Sequence, residues 1–372
     1  MNVRADVVHE RQEADRSFMD RALVLAERGW GQTAPNPMVG AVVVRDGAVV
    51  GEGFHARFGE AHAEVVALRA AGARAKGATL YVSLEPCAHT GKTPPCTDTI
   101  VAAGIGRVVY AMADPNPVAG GGAKRLAAAG IAVTGGVGEA AARELNAAFV
   151  HALTADRPWV TLKMAVTIDC AIADGTATTS WITNDSTKRF VHRLRAGHDA
   201  VAVGMSTVRI DDPQLTVRES EAPRVAPMRV VFSRTGRLPL TSTLARSARE
   251  VPVIVVGHDL DSSYAMALND LGVEIIEATS LADALRALRR HGVQSLLVEG
   301  GAVLAGALLA EQLVDRLLLI QAPVIFGAGA LGAFSAAPAV RGTAARRWRV
   351  VRREALDDDL LSVYAPAEGE GR

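Results

Sequence analysis

The chain has 372 residues, with 40 lysines and arginines balanced by 40 aspartates and glutamates. This length favours two domains, each long enough to bury a core of its own. The balanced charge excludes the basic field expected of a nucleic-acid-binding protein, so a small-molecule partner is favoured over nucleic acid. The three cysteines exclude a disulfide framework and predict a reducing, cytoplasmic setting.

The hydropathy of the chain predicts no association with a membrane. Residues 1–18 alternate charged with apolar side chains and lack the continuous apolar segment of a signal peptide. No later run approaches the ~18 apolar residues that a membrane span requires. A soluble protein is therefore expected.

The first half of the sequence predicts a layered α/β domain. A helix is predicted from Ser17 to Gly29, because Ser17 and Asp20 have the spacing of a capping box and Gly29 can end a helix. Asp46-Gly47 predicts a hairpin, since this dipeptide supplies the positive φ angles of a tight turn. Strands are predicted at 38–44, 48–54, 79–84, 107–112 and 131–134, and helices at 62–71, 97–103 and 122–129.

A second α/β domain is predicted after residues 153–158. The segment LTADRP interrupts a helical pattern that begins at Glu139, and the strand-like run WVTLKMAV follows it. We therefore place the domains at 1–153 and 158–372. Further strands are predicted at 199–204, 228–233, 251–257, 273–277 and 294–301, and helices at 184–196 and 280–290. The alanine-rich sequence beyond Gly329 predicts no element.

His62, Cys87 and Cys96 form the strongest chemical pattern in the sequence. One imidazole and two thiolates make a three-ligand zinc site that leaves a fourth position open for water. Zinc lowers the pKa of that water toward neutrality, and the resulting hydroxide can attack an amidine-like ring carbon. Glu64 can carry protons from the water to the ring nitrogen and to the departing amine. The pattern therefore predicts hydrolytic deamination of a nucleobase-like ring.

The local sequence supports this interpretation and also departs from the usual spacing. His62 and Glu64 lie where one helix is predicted to begin and Cys96 begins another, so helix dipoles would stabilise anionic groups. The arrangement H-x-E followed by P-C is typical of zinc deaminases. In those enzymes two residues commonly separate the cysteines, whereas eight do so here. The longer loop carries His89 and Lys92, which are expected to face the substrate.

Other interpretations of the same residues stay open at this point. Taken singly, the two cysteines could be ordinary buried thiols and His62 a core histidine. His89 could close a four-ligand structural zinc site, which would make the protein a scaffold or sensor. A deaminase for free nucleosides or tRNA is a further alternative, with the second domain serving binding or dimerisation. Cys170 has no metal-binding neighbours in the sequence and is expected to be structural.

Several motifs resemble the riboflavin biosynthesis bifunctional deaminase-reductase family. They are PCAHTGKTPPC, with HAEVVALR before it and DPNPVAGGG after it, and APNPMVGAVVV, which resembles the family's opening substrate loop. The segments TLKMAVTID, SWIT, HRLRAGHDA, TVRIDDPQLTVR and VEGG resemble landmarks of its reductase half. The resemblance covers nearly the whole chain.

The resemblance implies a cytidine-deaminase-like α/β/α domain followed by a dihydrofolate-reductase-like α/β domain. It implies zinc-dependent loss of the 2-amino group of a phosphoribosylated pyrimidine, then reduction of the ribosyl side chain to ribityl with NADPH. A homo-oligomer is a possible assembly. The alternative is a deaminase of another nucleobase-like substrate whose second domain is inactive as a reductase.

The resemblance also implies the residues of the two sites. Beyond the zinc set and Glu64, the implied substrate-binding residues are Asn36, His55, His89, Lys92, Thr179, Arg195, Leu215, Arg218 and Glu299. The implied cofactor-binding residues are Lys163, Ala165, Asp169, Trp181, Thr183, Thr207, Asp211, Gly300 and Gly301, with Gly327 and Gly329 in a similar role. No G-x-G-x-x-G fingerprint follows the first strand of the second domain, so NADPH is expected on the resemblance alone.

Individual residue types suggest some of these roles. Lys163 and Asp169 are expected at the end of a strand, where open α/β sheets bind ligands. Arg195 and Arg218 are expected to hold phosphate, because a guanidinium fork matches its oxygens. Asp114 to Pro117 are expected only to shape a loop.

The reductase half departs from the family pattern after Asp169. Cys170 and Ala171 stand where a glycine and a basic residue are common, and TATT (176–179) replaces a Ser-Gly-Glu-Ser-like segment. A side chain at 170 is expected to affect ligand access, because glycine allows close approach to the backbone. The hydroxyl of Thr179 is expected to preserve the pocket with altered affinity.

Overall fold

The computed structural model describes residues 3–90, 94–176, 181–338 and 345–367. The chain divides into two compact units, an N-terminal unit of residues 1–154 and a C-terminal unit of residues 155–372. Within the described residues, none of the helices combines the length and the apolar character needed to cross a membrane.

The N-terminal unit is a five-stranded mixed sheet with helices packed against it. Its helices are α1 (Val3–Ala26), α2 (Ala63–Ala71), α3 (Cys96–Ala102), α4 (Gly122–Ala128), α5 (Glu139–Leu145) and α6 (Ala147–Ala152). Its strands are β1 (Gly40–Arg45), β2 (Ala48–Phe54), β3 (Thr79–Leu84), β4 (Arg107–Met112) and β5 (Ala132–Gly135). The strand order is β2-β1-β3-β4-β5, with β3, β4 and β5 parallel. The loops that follow β3 and β4 therefore leave the same edge of the sheet side by side.

Two glycines bring helices directly onto this sheet. A Cβ atom on Gly40 would lie 2.0 Å from the carbonyl oxygen of Ala22 in α1, and one on Gly51 would lie 2.3 Å from that of Ala67 in α2. Both positions therefore require glycine for close backbone approach. The second contact matters for the site, because α2 carries Glu64.

The C-terminal unit is built on a nine-stranded sheet. Its helices are α7 (Asp185–Ala196), α8 (Met205–Asp211), α9 (Thr243–Arg246), α10 (Ser262–Asp270), α11 (Leu281–Arg290) and α12 (Ala302–Ala310). Its strands are β6 (Trp159–Val166), β7 (Ala171–Ala173), β8 (Ala200–Gly204), β9 (Met228–Phe232), β10 (Val253–Gly257), β11 (Val273–Glu277), β12 (Ser295–Glu299), β13 (Arg316–Gln321), β14 (Leu331–Gly332), β15 (Trp348–Leu356) and β16 (Asp359–Pro366).

The order in the large sheet is β11-β10-β9-β8-β12-β6-β13-β16-β15, and β7 and β14 form a separate two-stranded sheet. All neighbouring pairs from β11 to β13 are parallel, whereas β16 runs antiparallel to both β13 and β15. The carboxyl ends of β6, β8 and β12 consequently share one edge, where ligands of open α/β sheets bind.

Most of the strands predicted from apolar runs are confirmed, and the hairpin is confirmed with them. The predicted strands at 79–84, 107–112 and 273–277 match β3, β4 and β11 residue for residue. Asp46 and Gly47 turn between β1 and β2 with φ angles of 50° and 77°.

The predicted start of the first helix is wrong. α1 begins at Val3, so Ser17 lies inside the helix and caps nothing, and α1 ends at Ala26 before a single 3-10 turn that reaches Gly29. Residues 9–14 are exposed and, apart from Ala14, polar, so this part of the helix has no apolar stripe to reveal it in the sequence. The unassigned end of the chain contains β14, β15 and β16.

Asp15 ties α1 to the sheet through a buried ion pair. Its carboxylate accepts hydrogen bonds from both terminal nitrogens of Arg107, each at 2.7 Å, and from the Tyr81 hydroxyl at 2.8 Å. Although burial opposes ionisation, these hydrogen bonds lower the pKa of Asp15. One helical side chain therefore contacts both β3 and β4.

We expect Asp15→Asn to lower the free energy of opening of α1, β3 and β4 by about 3 kcal/mol, because it leaves the largely buried Arg107 without its counter-charge. Hydrogen exchange followed by mass spectrometry on the full chain measures this locally. Asp20→Asn is the matched control, since Asp20 pairs with Arg16 on the exposed side of the same helix and should cost less than about 0.5 kcal/mol. Equal effects of the two substitutions would contradict the assigned role.

Candidate active sites

Three elements bring the predicted metal ligands together. His62 immediately precedes α2, Cys87 lies in the loop after β3, and Cys96 is the first residue of α3. Nδ1 of His62 lies 3.1 Å from the Cys96 Sγ and 3.7 Å from the Cys87 Sγ. All three ligand atoms lie within 4.8 Å of one another.

This spacing fits zinc. A tetrahedral ion with bonds of ~2.1 Å to nitrogen and ~2.3 Å to sulfur separates two such ligand atoms by about 3.6 Å. Hydrogen bonding from Cys96 and His62, against the effect of burial, lowers the pKa of Cys87 to about 4. The contact with Cys87 raises the pKa of Cys96, and binding of a dication would deprotonate a coordinating thiol.

Glu64 lies in the first turn of α2 and is buried, with 4 % of its surface exposed. Burial raises the pKa of Glu64. The position of Glu64 beside two of the three ligands is what a proton carrier for metal-activated water requires. His89 is not part of the metal group, which contains three residues within the described chain.

A cavity of about 310 Å³ opens beside this cluster. Asn36 and His55 lie in its wall, and the Asn36 Nδ2 donates to the His55 Nε2 at 3.2 Å. The opposite ring nitrogen, Nδ1, faces the carbonyl oxygen of Ala61 at 3.3 Å. Burial lowers the pKa of His55, so a neutral ring with its proton on Nδ1 holds the orientation of the Asn36 amide.

The cavity also contains residues to which the sequence analysis gave no binding role. Asp114 and Asn116 line it, although the D-P-N-P segment was expected only to shape a loop. The D-P-N-P motif could have indicated a binding role for both residues, because it follows β4, and β4 is parallel to the strand that precedes the zinc loop. His89 lines the cavity, and it was expected to face the substrate. Among the described residues, its buried Nδ1 has no hydrogen-bond partner. Lys92 lies outside the described residues.

In the C-terminal unit, Glu299 forms a buried ion cluster with Arg195 and Lys163. The Arg195 guanidinium donates to both carboxylate oxygens, at 2.5 and 2.9 Å, and Lys163 Nζ lies 3.8 Å from one of them. Burial opposes the charge, yet Arg195 and Lys163 lower the pKa of Glu299 to about 2. Lys163 lies within β6, directly opposite Glu299 of β12, rather than at the strand end where it was expected. Ala165 follows on the same face of β6.

The two arginines predicted to hold phosphate differ in their surroundings. Besides Glu299, Arg195 donates to the carbonyl oxygen of Thr216 at 3.0 Å, so three of its five N–H groups are engaged by the protein. Arg218 is exposed and donates to Gln214 and Thr216 side chains. Leu215, between them, is buried with a positive φ of 56°.

The predicted cofactor residues Asp169 and Gly327 are joined directly. The Asp169 carboxylate accepts from the backbone N–H of Gly327 at 2.8 Å and from the Thr167 hydroxyl at 2.5 Å. Gly329 packs nearby, where its carbonyl oxygen would lie 2.5 Å from a Cβ on Gly175. The loop after β13 is thereby held against the loop after β6.

The remaining predicted residues lie after β12, in α8 and before α7. Gly300 and Gly301 connect β12 to α12, and the Thr207 hydroxyl of α8 lies 3.6 Å from where a Cβ of Gly301 would stand. Asp211 is the last residue of α8. Trp181 is exposed and Thr183 half-buried shortly before α7, and Thr179 lies outside the described residues. His192, one turn before Arg195, was missed, although it accepts a hydrogen bond from the Arg218 N–H.

Comparison with known proteins matches both units to described families. Residues 12–112 match the cytidine and deoxycytidylate deaminase zinc-binding region, and residues 158–362 match the RibD C-terminal domain. The riboflavin biosynthesis protein RibD of Aquifex aeolicus is 43 % identical over 321 residues, which cover 86 % of this chain and 89 % of that protein. RibD of Escherichia coli strain K12 is 41 % identical over 330 residues, 86 % of this chain and 90 % of the relative.

Solved structures agree. Acinetobacter baumannii RibD superimposes with a TM-score of 0.82 at 38 % identity, over 96 % of this chain and all of that one. A Thermotoga maritima protein, described as a diaminohydroxyphosphoribosylaminopyrimidine deaminase/5-amino-6-(5-phosphoribosylamino)uracil reductase, has the same TM-score at 37 % identity and the same coverage.

The chain belongs to the RibD family. It is a bifunctional enzyme of riboflavin biosynthesis with a zinc-binding deaminase domain and an NADPH-dependent reductase domain. The predicted fold class, the two activities and the two cofactors, zinc and NADPH, are confirmed.

Cys170 occupies a position whose backbone conformation favours glycine. Cys170 adopts a φ of 59°, and its N–H donates to the Thr167 carbonyl oxygen in the turn between β6 and β7. A glycine is common at this point because the turn uses left-handed backbone. The thiol is exposed, so it is not part of a packed core as the expectation of a structural role implied.

We expect Cys170→Gly to be more stable than Cys170→Ala by about 1 kcal/mol, because alanine keeps the cost of a left-handed residue and glycine removes it. Chemical unfolding of the two variants measures the difference. The control is Ala307→Gly, inside α12, where glycine should be less stable than alanine by a similar free energy of unfolding. A more stable alanine variant at position 170 would contradict the explanation.

The ionised Glu299 side chain is expected to stabilise the reductase unit, and acid should remove this stabilisation. Its folded pKa of about 2 lies below its ordinary value of 4.5, so the contribution is complete above pH 4.5 and is lost as the pH falls toward 2. The difference between the two pKa values corresponds to about 3 kcal/mol. We therefore expect Glu299→Gln to lower the free energy of unfolding by about that amount at pH 7, and by less at pH 3.

Urea unfolding followed by tryptophan fluorescence at both pH values provides the measurement. Glu274→Gln serves as the control, because Glu274 is exposed and pairs only with His291 at the surface. A gap between the parent and Glu299→Gln that stayed constant from pH 7 to pH 3 would rule out the ion cluster as its source.

Proposed function

We propose that residues 1–153 deaminate 2,5-diamino-6-(5-phosphoribosylamino)pyrimidin-4-one to 5-amino-6-(5-phosphoribosylamino)uracil, and that residues 158–372 then reduce its ribosyl side chain to ribityl. The observation that carries the proposal is the His62, Cys87 and Cys96 cluster with buried Glu64 beside a cavity of about 310 Å³. The description of the Thermotoga maritima relative names the same pair of activities.

In the deaminase site, His62, Cys87 and Cys96 would hold zinc. When bound, zinc supplies Lewis-acid activation of a water molecule. A carboxylate oxygen of Glu64 takes one proton from the water and delivers it to the ring nitrogen as the carbon–oxygen bond forms at C2. Glu64 then moves the remaining proton of the added hydroxyl to the amine, the carbon–nitrogen bond breaks, and ammonia departs as C2 becomes a carbonyl.

The cavity wall supplies the groups that orient the ring. Because the Asn36 Nδ2 is held by His55, the Asn36 Oδ1 is free to accept from an N–H group of the pyrimidine. Asp114, Asn116 and His89 add polar atoms on the opposite loops. Polar groups held in fixed positions along the cavity wall are what the orientation of a small ring requires.

In the reductase site, NADPH would supply, when bound, the hydride that reduction of the ring-opened sugar imine at C1′ requires. Lys163 and Glu299 place charged groups opposite each other where β6 and β12 pair, and Arg218 offers an exposed guanidinium for the phosphate. We assign Arg195 the role of orienting Glu299, because the Nε and Nη2 groups of Arg195 each donate a hydrogen bond to the Glu299 carboxylate.

A homo-oligomer and a cytoplasmic location stay predictions from the sequence. Size-exclusion chromatography with light scattering tests the first of them.

The zinc-loaded full chain should release ammonia from the diamino substrate before it oxidises NADPH. We expect Glu64→Gln to slow ammonia release by ~10²-fold or more, because it removes the proton carrier. It should leave NADPH oxidation unchanged when the deaminated compound is supplied. Ammonia is measured by a coupled assay under anaerobic conditions, and NADPH by its absorbance.

Glu139→Gln is the matched control, since Glu139 is an exposed residue of α5 that pairs with Arg143. Ammonia release by Glu64→Gln at the parent's rate would remove Glu64 from its role. A parent enzyme that releases ammonia without oxidising NADPH would support the alternative of an inactive second domain.

A further inference from the structure

Glu85 lies between the end of β3 and Cys87, and it is almost completely buried. Both of its carboxylate oxygens accept hydrogen bonds from backbone N–H groups. Oε2 accepts from Asp114 at 3.2 Å, and Oε1 accepts from Ala123 at 2.9 Å. The carboxylate is therefore engaged by the protein on both sides, unlike a group that carries protons to a substrate.

The two donors belong to separate parts of the chain. Asp114 follows β4, whereas Ala123 lies in the first turn of α4. The residue before α4, Gly121, provides no side-chain cap. Glu85 supplies that acceptor from another element, and so links the zinc loop to two segments that are distant from it in sequence.

Residues 119–125, which include the start of α4, contact the zinc loop on both sides of Cys87. Ala88 donates its N–H to the Ala119 carbonyl oxygen at 3.2 Å and accepts from Arg125 Nη1 at 3.1 Å. On the other side, a Cβ on Gly122 would lie 1.7 Å from the Pro86 carbonyl oxygen, so the start of α4 is in direct backbone contact with the loop. Cys87 is thus fixed through its neighbours and not through its own side chain alone.

We propose that Glu85 is a positioning residue that sets the Cys87 thiolate at its metal-binding distance from His62 and Cys96. The inference rests on the proposed assignment of Cys87 as a zinc ligand. Groups that orient metal ligands without touching the metal typically change metal affinity ten- to a hundredfold when they are removed.

The test compares zinc binding by the full-length parent, Glu85→Gln and Glu85→Asp. Glutamine keeps the shape but offers one acceptor oxygen, and aspartate keeps the charge but is one methylene too short to reach both donors. We expect Glu85→Gln to weaken zinc binding by roughly tenfold or more, measured by competition with a chromophoric chelator. Glu85→Asp should lie between the two.

Cobalt substitution supplies a readout that general destabilisation would not move. If Glu85 positions Cys87, the cobalt-loaded Glu85→Gln protein should show weaker thiolate-to-cobalt charge-transfer absorption than the parent. Parent-level hydrogen exchange in β3 and β4 verifies that the N-terminal unit is folded. Where Glu85→Gln does not fold, the milder Glu85→Asp decides the question by the same two measurements.

Glu139→Gln is the matched control, because Glu139 makes its ion pair with Arg143 within α5. It should bind zinc as the parent does. Parent-like zinc affinity and cobalt absorption in Glu85→Gln would overturn the inference, as would an equal loss in Glu139→Gln. Neither measurement uses the pyrimidine. A Cys87→Ser protein that binds zinc like the parent would instead refute the ligand assignment itself.

Discussion

The parallel pairing of β3 with β4 is the constraint on which the deaminase site depends. Leu84 pairs with Met112 at the ends of these strands, and the chain continues from each into a loop that carries site residues. Because parallel strands end at the same edge, the zinc loop and the Asp114 loop must lie side by side. Glu85, at the start of the zinc loop, uses that proximity to bind the Asp114 loop, and the same carboxylate binds the first turn of α4.

A comparable constraint organises the reductase site. Lys163 and Glu299 are register partners on β6 and β12, so the sheet places a cation and an anion opposite each other without help from a loop. Arg195 completes the cluster from α7. A buried carboxylate with two cationic neighbours stays ionised well into acid, so the ion pairs of Glu299 with Arg195 and Lys163 persist there.

The departures of this chain from the family pattern fall in one small region. Cys170 takes the left-handed conformation that glycine adopts easily, and the turn around it still forms its hydrogen bonds to Thr167 and Ala333. Asp169 keeps its bonds to the Gly327 loop across the same turn. The substitution therefore costs local backbone energy without disconnecting the loops that carry the predicted cofactor residues.

Features with local signals could be predicted from the amino-acid sequence. The His62, Glu64, Cys87 and Cys96 pattern, the Asp46-Gly47 hairpin and the apolar strands β3, β4 and β11 could all be predicted, because residue type and short spacing encode them. The start of α1 could not, since residues 9–14 lack an apolar stripe, and β15 and β16 were hidden in charged and alanine-rich sequence. Only the tertiary structure decided that Glu85 braces the zinc loop, that His55 orients Asn36 and that Arg195 binds Glu299. Each of these contacts joins residues 19 to 104 positions apart, and strand pairing and helix packing, rather than any sequence period, bring such residues together.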